Sequence, residues 1–184
     1  MLKIAGGTHR GRKLLSVPSD RTRPTAQRVR EALFSIIGPR EVERVLDCFA
    51  GSGAIGLEAL SRGAGRVVAI EKDPRAAGIV AQNAAMLGYS DRVAVVAQDA
   101  LKALVRLAQP GGAPAERFDL LFADPPYAFT AWSELLAALC AVAAPGALVV
   151  VEHSSEDSLL EVTGLVPRRT YRYGGSALST FDVG

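Results

Sequence analysis

The sequence predicts an α/β protein built on a mostly parallel sheet with helices on both faces, and three observations carry that prediction. From Arg44 onward, short apolar runs alternate with segments of helical periodicity. The first run passes into a glycine-rich turn, Gly51-Ser52-Gly53-Ala54-Ile55-Gly56, and the second ends on an acid, Glu71. The length, 184 residues, suits one domain with a single large core and leaves no room for a second large domain.

Lys3 to Val17 read as two short strands around the basic turn Gly6-Gly7-Thr8-His9-Arg10-Gly11, a small hairpin appendage (residues 1–20) ahead of the main domain (21–184). Pro24-Thr25 opens a helix with Thr25 as its cap; Val29, Leu33, Ile36 and Ile37 recur at helical spacing until Gly38-Pro39 stops it. Strands are expected near 45–47, 67–71, 93–97, 118–123 and 147–152, and helices near 54–62, 74–87, 100–108 and 130–143. The helix over 74–87 is the best marked, with Asp73 as N-cap, Pro74 at the first helical position and Gly88 at its end. A short helix near 155–161 follows the fifth strand. The tail, Val166 to Val183, carries two more strands joined through Gly174-Gly175.

A hydrophobic fraction of 49% with 22% charged residues excludes disordered and fibrous classes. Cys48 and Cys140 stand far apart in apolar runs, with no C-x-x-C pair and only two histidines, so no metal site and a reduced, cytoplasmic location are expected. The start has no long apolar stretch, and the greasy run from Leu135 to Val151 is cut by Pro145-Gly146, so no membrane segment is expected. Charge is uneven. Residues 1–30 hold Lys3, Arg10, Arg12, Lys13, Arg21, Arg23, Arg28 and Arg30 against Asp20, a net of +7; the total of +2 leaves −5 on the rest. Apolar residues interleave with these arginines, which favours a folded nucleic-acid contact over a solvated tail.

The chemistry concentrates at the ends of the strands. In Val45-Leu46-Asp47-Cys48-Phe49-Ala50-Gly51-Ser52-Gly53, the missing side chains let backbone approach a nucleotide-like ligand while the following helix packs close to the sheet. Glu71, 24 residues after Asp47, is placed to accept hydrogen bonds from both ribose hydroxyls of an adenosine. Asp99, at the end of the third strand, either accepts an adenine amino group or caps the helix that follows. The most specific signal is Asp124-Pro125-Pro126-Tyr127 directly after the strand Phe118-Asp119-Leu120-Leu121-Phe122-Ala123. Two prolines fix that loop and remove two amide donors, so carbonyls and the Asp124 carboxylate face outward as acceptors. Such acceptors suit a planar exocyclic amine: they orient its hydrogens and stabilise positive charge developing on nitrogen, while Tyr127 stacks on the base. His9 and His153 are expected as surface or hydrogen-bonded residues, not catalysts.

These residues resemble the RsmD family, bacterial methyltransferases of 16S ribosomal RNA within the seven-stranded class I methyltransferase fold. The resemblance covers nearly the whole chain. It rests on Ile4-Ala5-Gly6-Gly7 with Arg10-Gly11-Arg12-Lys13-Leu14, on Arg23-Pro24-Thr25 with Arg28-Val29-Arg30-Glu31-Ala32-Leu33-Phe34, on Asp47 to Gly53 and on Asp124 to Tyr127. Ala26-Gln27 departs from the Thr-Asp that the family often carries there, which removes any polar contact those side chains would make. The resemblance implies a Rossmann-like domain that uses S-adenosyl-L-methionine to methylate the N2 amine of one guanine in small-subunit RNA, the guanine numbered 966. The 16S ribosomal RNA or the assembling small ribosomal subunit is then the partner of a monomer.

The expected cofactor contacts are Thr25, Asp47, Phe49, Ala50, Gly51, Ser52, Gly53, Glu71, Lys72, Asp99, Ala100 and Asp124. The expected catalytic loop is Asp124, Pro125, Pro126 and Tyr127. Arg10, Arg12, Lys13, Arg23, Arg28 and Arg30 are expected to grip phosphates, with the target base unstacked into the cleft. Three rivals use parts of the same pattern. A nicotinamide oxidoreductase shares the glycine fingerprint but lacks a hydride-transfer site. A non-catalytic RNA-binding factor needs only the basic arm and leaves Asp124 to Tyr127 unexplained. A methyltransferase of a DNA or RNA adenine, or of a protein amide, would use a related loop.

Overall fold

The computed structural model describes residues 2–17, 24–109, 117–157 and 161–184, without the side chains of 24–28. The elements in chain order are α1 (Pro24–Ile37), β1 (Arg44–Cys48), α2 (Ala54–Ser61), β2 (Arg66–Ile70), α3 (Pro74–Met86), β3 (Val93–Val96), α4 (Ala100–Ala108), β4 (Phe118–Ala123), α5 (Trp132–Val142), β5 (Ala143–Ser154), β6 (Leu165–Tyr173) and β7 (Ser176–Val183). They form one seven-stranded sheet in the order β3-β2-β1-β4-β5-β7-β6. The first five strands are parallel, β7 runs antiparallel to β5, and β6 antiparallel to β7.

The expected α/β class therefore holds, and the burial pattern shows why. Central strands covered on both faces must be apolar throughout. Val149, Val150 and Val151 are all fully buried, as are Leu46 and Cys48 of β1. Two apolar layers result. On one face Val29, Leu33 and Phe34 of α1, Leu57 and Leu60 of α2, and Val80 and Ala84 of α3 pack on Val45, Val67, Leu120 and Val150. On the other, Ala103 and Leu104 of α4 and Leu135, Leu136 and Leu139 of α5 pack on Leu46, Val68, Leu121 and Val149. Strand order reverses between β1 and β4, so a crevice opens there at the carboxyl ends, where the chain's connections leave in opposite directions.

Several local expectations change. The amino-terminal strands reduce to a single antiparallel bridge, Lys3 to Lys13. The reason is competition for hydrogen bonds. Ile4 N still donates to Arg12 O (3.0 Å) and Leu14 N to Leu2 O (3.0 Å), but Thr8 N donates to Ser61 O (2.7 Å), His9 N to Ser61 Oγ (2.9 Å), Ala5 N to Glu58 Oε2 (2.8 Å) and Leu15 N to Asn83 Oδ1 (2.8 Å), so the segment is laced to α2 and α3 as well as to itself. The α1 helix already includes Pro24, which places Thr25 inside the first turn and not at the cap. Pro145-Gly146 does not delay β5: the strand starts at Ala143, and the extra residues are absorbed in a register shift opposite Phe118 to Leu120. Residues 155–156 form a turn instead of a helix, and 158–160 of that expected element lie outside the described residues. His153 is buried and hydrogen-bonded as expected: Nδ1 donates to Ser154 O (2.7 Å) and Nε2 meets Ser179 Oγ (2.8 Å).

Candidate active site

Strand β1 ends by delivering Asp47 into the interior, 1% exposed, beneath the loop it precedes. Its Oδ2 accepts from Gly56 N (3.0 Å), so one carboxylate fastens the first turn of α2 to the strand. A Cβ on Gly56 would come within 2.7 Å of Val67, which is why the helix can approach the sheet only without one. Burial pushes the Asp47 carboxyl up to about 7; the Gly56 amide opposes the rise and the charge of Glu71 adds to it. Asp47 thus acts from below the loop as its anchor.

The loop itself is held in unusual backbone conformations. Gly51 (φ 55), Gly53 (φ 77) and Phe49 (φ 63) all lie in the left-handed region, and Phe49 is the non-glycine residue that does so. Such strain persists where its surroundings enforce it and concentrates at working sites. Ala50 N donates to Ile70 O (2.9 Å), tying the loop to the end of β2, while Asn83 Nδ2 donates to Ser52 O (2.9 Å) from α3. Gly53 is also closely packed: its absent Cβ would sit 2.8 Å from Val80 Cγ1. Replacing Gly53 with alanine is expected to cost about 2 kcal/mol or more, from the left-handed backbone and the overlap together. Urea unfolding measures it, and adding Val80→Ala should recover the overlap part; a single variant as stable as wild type would refute the account.

Glu71 stands just past β2 with its carboxylate fixed at both oxygens. Oε2 accepts from Gly51 N (2.8 Å) and Oε1 from Asp73 N (2.9 Å). Each oxygen keeps a second lone pair, so an oriented pair of acceptors faces the crevice beside the glycine turn. Lys72 next to it is exposed. At the third strand, Asp99 caps α4 by accepting from Lys102 N (3.2 Å), and Ala100 is buried behind it. Of the two alternatives for Asp99, the capping role is made, and the residue is otherwise exposed.

Across the strand-order reversal, β4 ends at Ala123 and the Asp124-Pro125-Pro126-Tyr127 loop begins. Pro126 O accepts from Phe129 N (2.8 Å), closing a turn, whereas the Pro125 carbonyl has no protein partner among the described residues. Tyr127 projects outward, 76% exposed. Asp124 is exposed at the crevice, and the protein around its carboxyl still pushes it up, to about 8, through desolvation first and then the charges of Glu152 and Asp47. Glu152 is the site residue that the sequence reading missed. Ala123 pairs with Val151, so Glu152 follows Val151 on β5 just as Asp124 follows Ala123 on β4. Desolvation raises its carboxyl as well, against a hydrogen bond from Ser176. Unlike Glu71, it does not end its strand, which continues to Ser154, so only the register with β4 marks it.

An aromatic train joins the two halves of the site. Phe49 meets Phe129 edge to face at 5.8 Å, Phe129 meets Trp132 at 5.1 Å, and Trp132 meets His153 at 6.2 Å. The strained residue of the glycine loop therefore rests on the segment that follows the acceptor loop.

Of the expected phosphate contacts, Arg10, Arg12 and Lys13 are exposed on the amino-terminal turn. That turn docks at Ser61, the last residue of α2, so its tip lies at the opposite end of the sheet from the crevice. Arg30 is a correction. It is 6% exposed, donates from Nη2 to Lys3 O (2.7 Å) and pairs through Nε with Glu58 Oε2 at 3.5 Å. Burial pushes this guanidinium down and Glu58 holds it up, which is the signature of an internal tie between α1, α2 and the amino-terminal segment. Arg23 lies outside the described residues, as do the side chains of Thr25 and Arg28.

A cleft of about 850 Å3 opens elsewhere, at the amino ends of β1 and β4, with Gly7, Phe34, Arg40, Glu43, Arg62 and Asp119 in its wall. Its polar groups satisfy one another: Arg62 pairs with Glu58 and lies over Phe34, Asp119 accepts from Glu43 N and Arg44 N, and Arg40 donates to Gly146 O. Reactive groups converge at the carboxyl ends instead. Among the described residues, no group of three or more His, Cys, Asp or Glu is placed to hold a metal ion, and no helix is long and apolar enough to cross a membrane.

Comparison with known proteins gives the fold and the family. The ribosomal RNA small subunit methyltransferase D of Haemophilus influenzae is 35% identical over 184 residues, covering 93% of each chain. Among solved structures, the Escherichia coli protein yhhF superposes with a TM-score of 0.82 at 34% identity over 99% of this chain and 97% of its own. A hypothetical protein of Thermus thermophilus does so with a TM-score of 0.81 at 35% identity, covering 100% of both chains. The fold is the seven-stranded class I methyltransferase fold. The model of the family described as Conserved hypothetical protein 95 matches residues 2–182, and this chain belongs to that family, the RsmD family of small-subunit ribosomal RNA methyltransferases.

Proposed function

We propose that this protein methylates the exocyclic N2 amine of a guanine in 16S ribosomal RNA, in the cytoplasm and as a monomer, with S-adenosyl-L-methionine as methyl donor. One observation carries the reading: a proline-fixed acceptor loop, Asp124 to Tyr127, lies across the strand-order reversal from an oriented Glu71 and a left-handed glycine turn. The donor set fits an adenosine moiety, because Glu71 offers two fixed carboxylate oxygens to vicinal hydroxyls and the turn offers bare backbone beside them. When bound there, the cofactor would supply an electrophilic methyl group on a positively charged sulfur, which would leave as a neutral thioether as its bond to that methyl breaks.

The chain's own residues do the rest. Asp124 and the Pro125 carbonyl accept hydrogen bonds from the amine, which orients its nitrogen and stabilises charge gathering on it. Tyr127, exposed beside them, offers its ring to a base drawn out of its stack. As the new carbon–nitrogen bond forms, the nitrogen sheds a proton, and Asp124 receives it; a carboxylate whose pKa has been raised is the stronger base for that task. Arg10, Arg12 and Lys13 hold phosphates of the same RNA at a distance from the cleft.

The pH profile follows in sign. Only the ionised Asp124 can take the proton, and its carboxyl is raised to about 8 in the folded protein. For the free enzyme, kcat/KM should therefore climb through an alkaline limb near pH 8 rather than level off below about pH 6. Initial rates between about pH 6 and 9.5 decide it, and a flat profile across that range removes Asp124 as proton acceptor. The function itself is tested by labelled methyl transfer to small-subunit particles from a strain lacking the gene, followed by nucleoside digestion and mapping of the modified position. N2-methylguanosine at guanine 966 is expected. Label in N6-methyladenosine or in protein would overturn the acceptor, and absence of transfer would overturn the activity.

A further inference from the structure

We infer that the edge strand β6 is a second RNA-binding strip, leading phosphates away from the crevice along the open edge of the sheet. The proposal rests on the reading that RNA is the substrate.

The strand Leu165–Tyr173 carries Arg168, Arg169 and Arg172 and no acid. It is the last strand of the sheet, so one side of its backbone has no neighbouring strand, and Arg168, Arg169, Thr170 and Arg172 are exposed. Position along the strand gives the strip a direction. Tyr173 pairs with Ser176 and Ser176 with Ser154, while Ser155 N donates to Gly175 O (3.0 Å). The β6–β7 turn is therefore bound to the carboxyl end of β5, two residues past Glu152, whose carboxylate takes the Ser176 hydroxyl hydrogen bond. From Tyr173 back to Arg169 is four residues, about 13 Å of extended chain.

Side-chain facing completes the case. Tyr171 and Tyr173 pack half-buried against the apolar layer that contains Val29 and Leu33 of α1 and Ile4 and Leu14 of the amino-terminal segment. The Arg169 guanidinium lies over the Tyr171 ring, 5.0 Å from its centre. Arg168 pairs with Asp182 at 3.5 Å, but both side chains are about half exposed, so that pair is weak and exchangeable. Charge alone would protect an edge strand from pairing with another copy. It would not call for a guanidinium laid over a tyrosine ring, and the Arg169–Tyr171 stack, with Arg172 exposed on the other face of the same edge, suits a polyanion whose bases can stack.

The test is binding of a small-subunit RNA fragment by the full chain at several salt concentrations. With Arg168, Arg169 and Arg172 all changed to glutamine, affinity should fall by about ten- to a hundredfold near 0.1 M salt, and the slope of log affinity against log salt should flatten by about 2. Adenosylhomocysteine affinity and the thermal midpoint should stay at their wild-type values, and the triple Arg→Lys variant should keep most of the slope. An unchanged slope in the glutamine variant overturns the strip. So does loss of binding to assembling particles with none on naked RNA, which would assign the strand to a protein partner. If the wild-type chain itself neither binds nor methylates RNA, the proposed function falls, and the strip with it; methylation intact beside an unchanged slope refutes the strip alone.

Discussion

Asp124→Ala is expected to lower methyl transfer by at least about a thousandfold while adenosylhomocysteine binding stays within a few-fold of wild type. The size follows from what is removed: an aligned acceptor that both orients the amine and stabilises its developing charge, each effect worth several kcal/mol of activation free energy. Cofactor affinity should be spared because the nucleoside side of the crevice is organised by Glu71 and the glycine turn, which Asp124 does not touch. Asp124→Asn keeps an acceptor oxygen but cannot take the proton, so it should retain partial orientation and little turnover. Stability should move the other way. The native carboxyl is raised to about 8, so the fold binds a proton there that the unfolded chain releases above about 4, and stability falls as pH rises between those values. Asparagine removes that dependence and should leave the protein as stable as wild type, or more so, at about pH 9. Single-turnover rates beside thermal melts check both halves; an alanine variant with wild-type turnover would end the catalytic assignment.

Glu58→Ala is expected to be the most damaging single change to the fold. Glu58 is fully buried, and its two oxygens accept three hydrogen bonds, from Arg62 Nε (3.0 Å) and Nη2 (2.8 Å) on one and Ala5 N (2.8 Å) on the other, while Arg30 Nε, which has no hydrogen-bond partner, pairs with the second oxygen at 3.5 Å as a charge. Alanine would leave Arg30 charged, buried and uncompensated, at a cost of about 3–5 kcal/mol out of a total stability of roughly 5–15 kcal/mol. Most of the loss is the stranded cation rather than the missing attraction. The double variant Glu58→Leu with Arg30→Met should accordingly recover a large part of it. Urea titration of the three proteins measures this, and a single variant within about 1 kcal/mol of wild type would show that the tie is dispensable.

Elements whose causes are local could be read directly from sequence. Helix α3 begins where Asp73 caps Arg75 N ahead of Pro74 and is followed by Gly88 at φ 73, each a short-range signal. The glycine turn and the acceptor loop were equally legible, because strand ends put them on one crevice whatever the details of packing. Long-range partners were not. The amino-terminal segment has the composition of a hairpin and keeps some of its cross-bonds, but the amides of Ala5, Thr8, His9 and Leu15 are claimed by residues more than fifty positions away, and no local rule foresees that. Arg30 was assigned to solvent for its charge, although Arg30, Leu33, Phe34 and Ile37 share one helical face, and that spacing already pointed it inward. Glu152 stayed hidden because it lies inside β5, flanked by Val151 and His153, and only the register with β4 sets it beside Asp124.

In the proposed function, with Arg10 on the RNA and Tyr127 on the target base, the docking of the amino-terminal turn at the far end of α2 sets a minimum size for the substrate. Helix α2 alone spans about 12 Å between the glycine turn and Ser61, so anything touching both Tyr127 and Arg10 must be at least that tall. A free nucleoside or a dinucleotide can meet one end only, whereas a folded arm meets both at once. Selection of this kind works by stature: fragments are turned away for being short before any base edge is inspected.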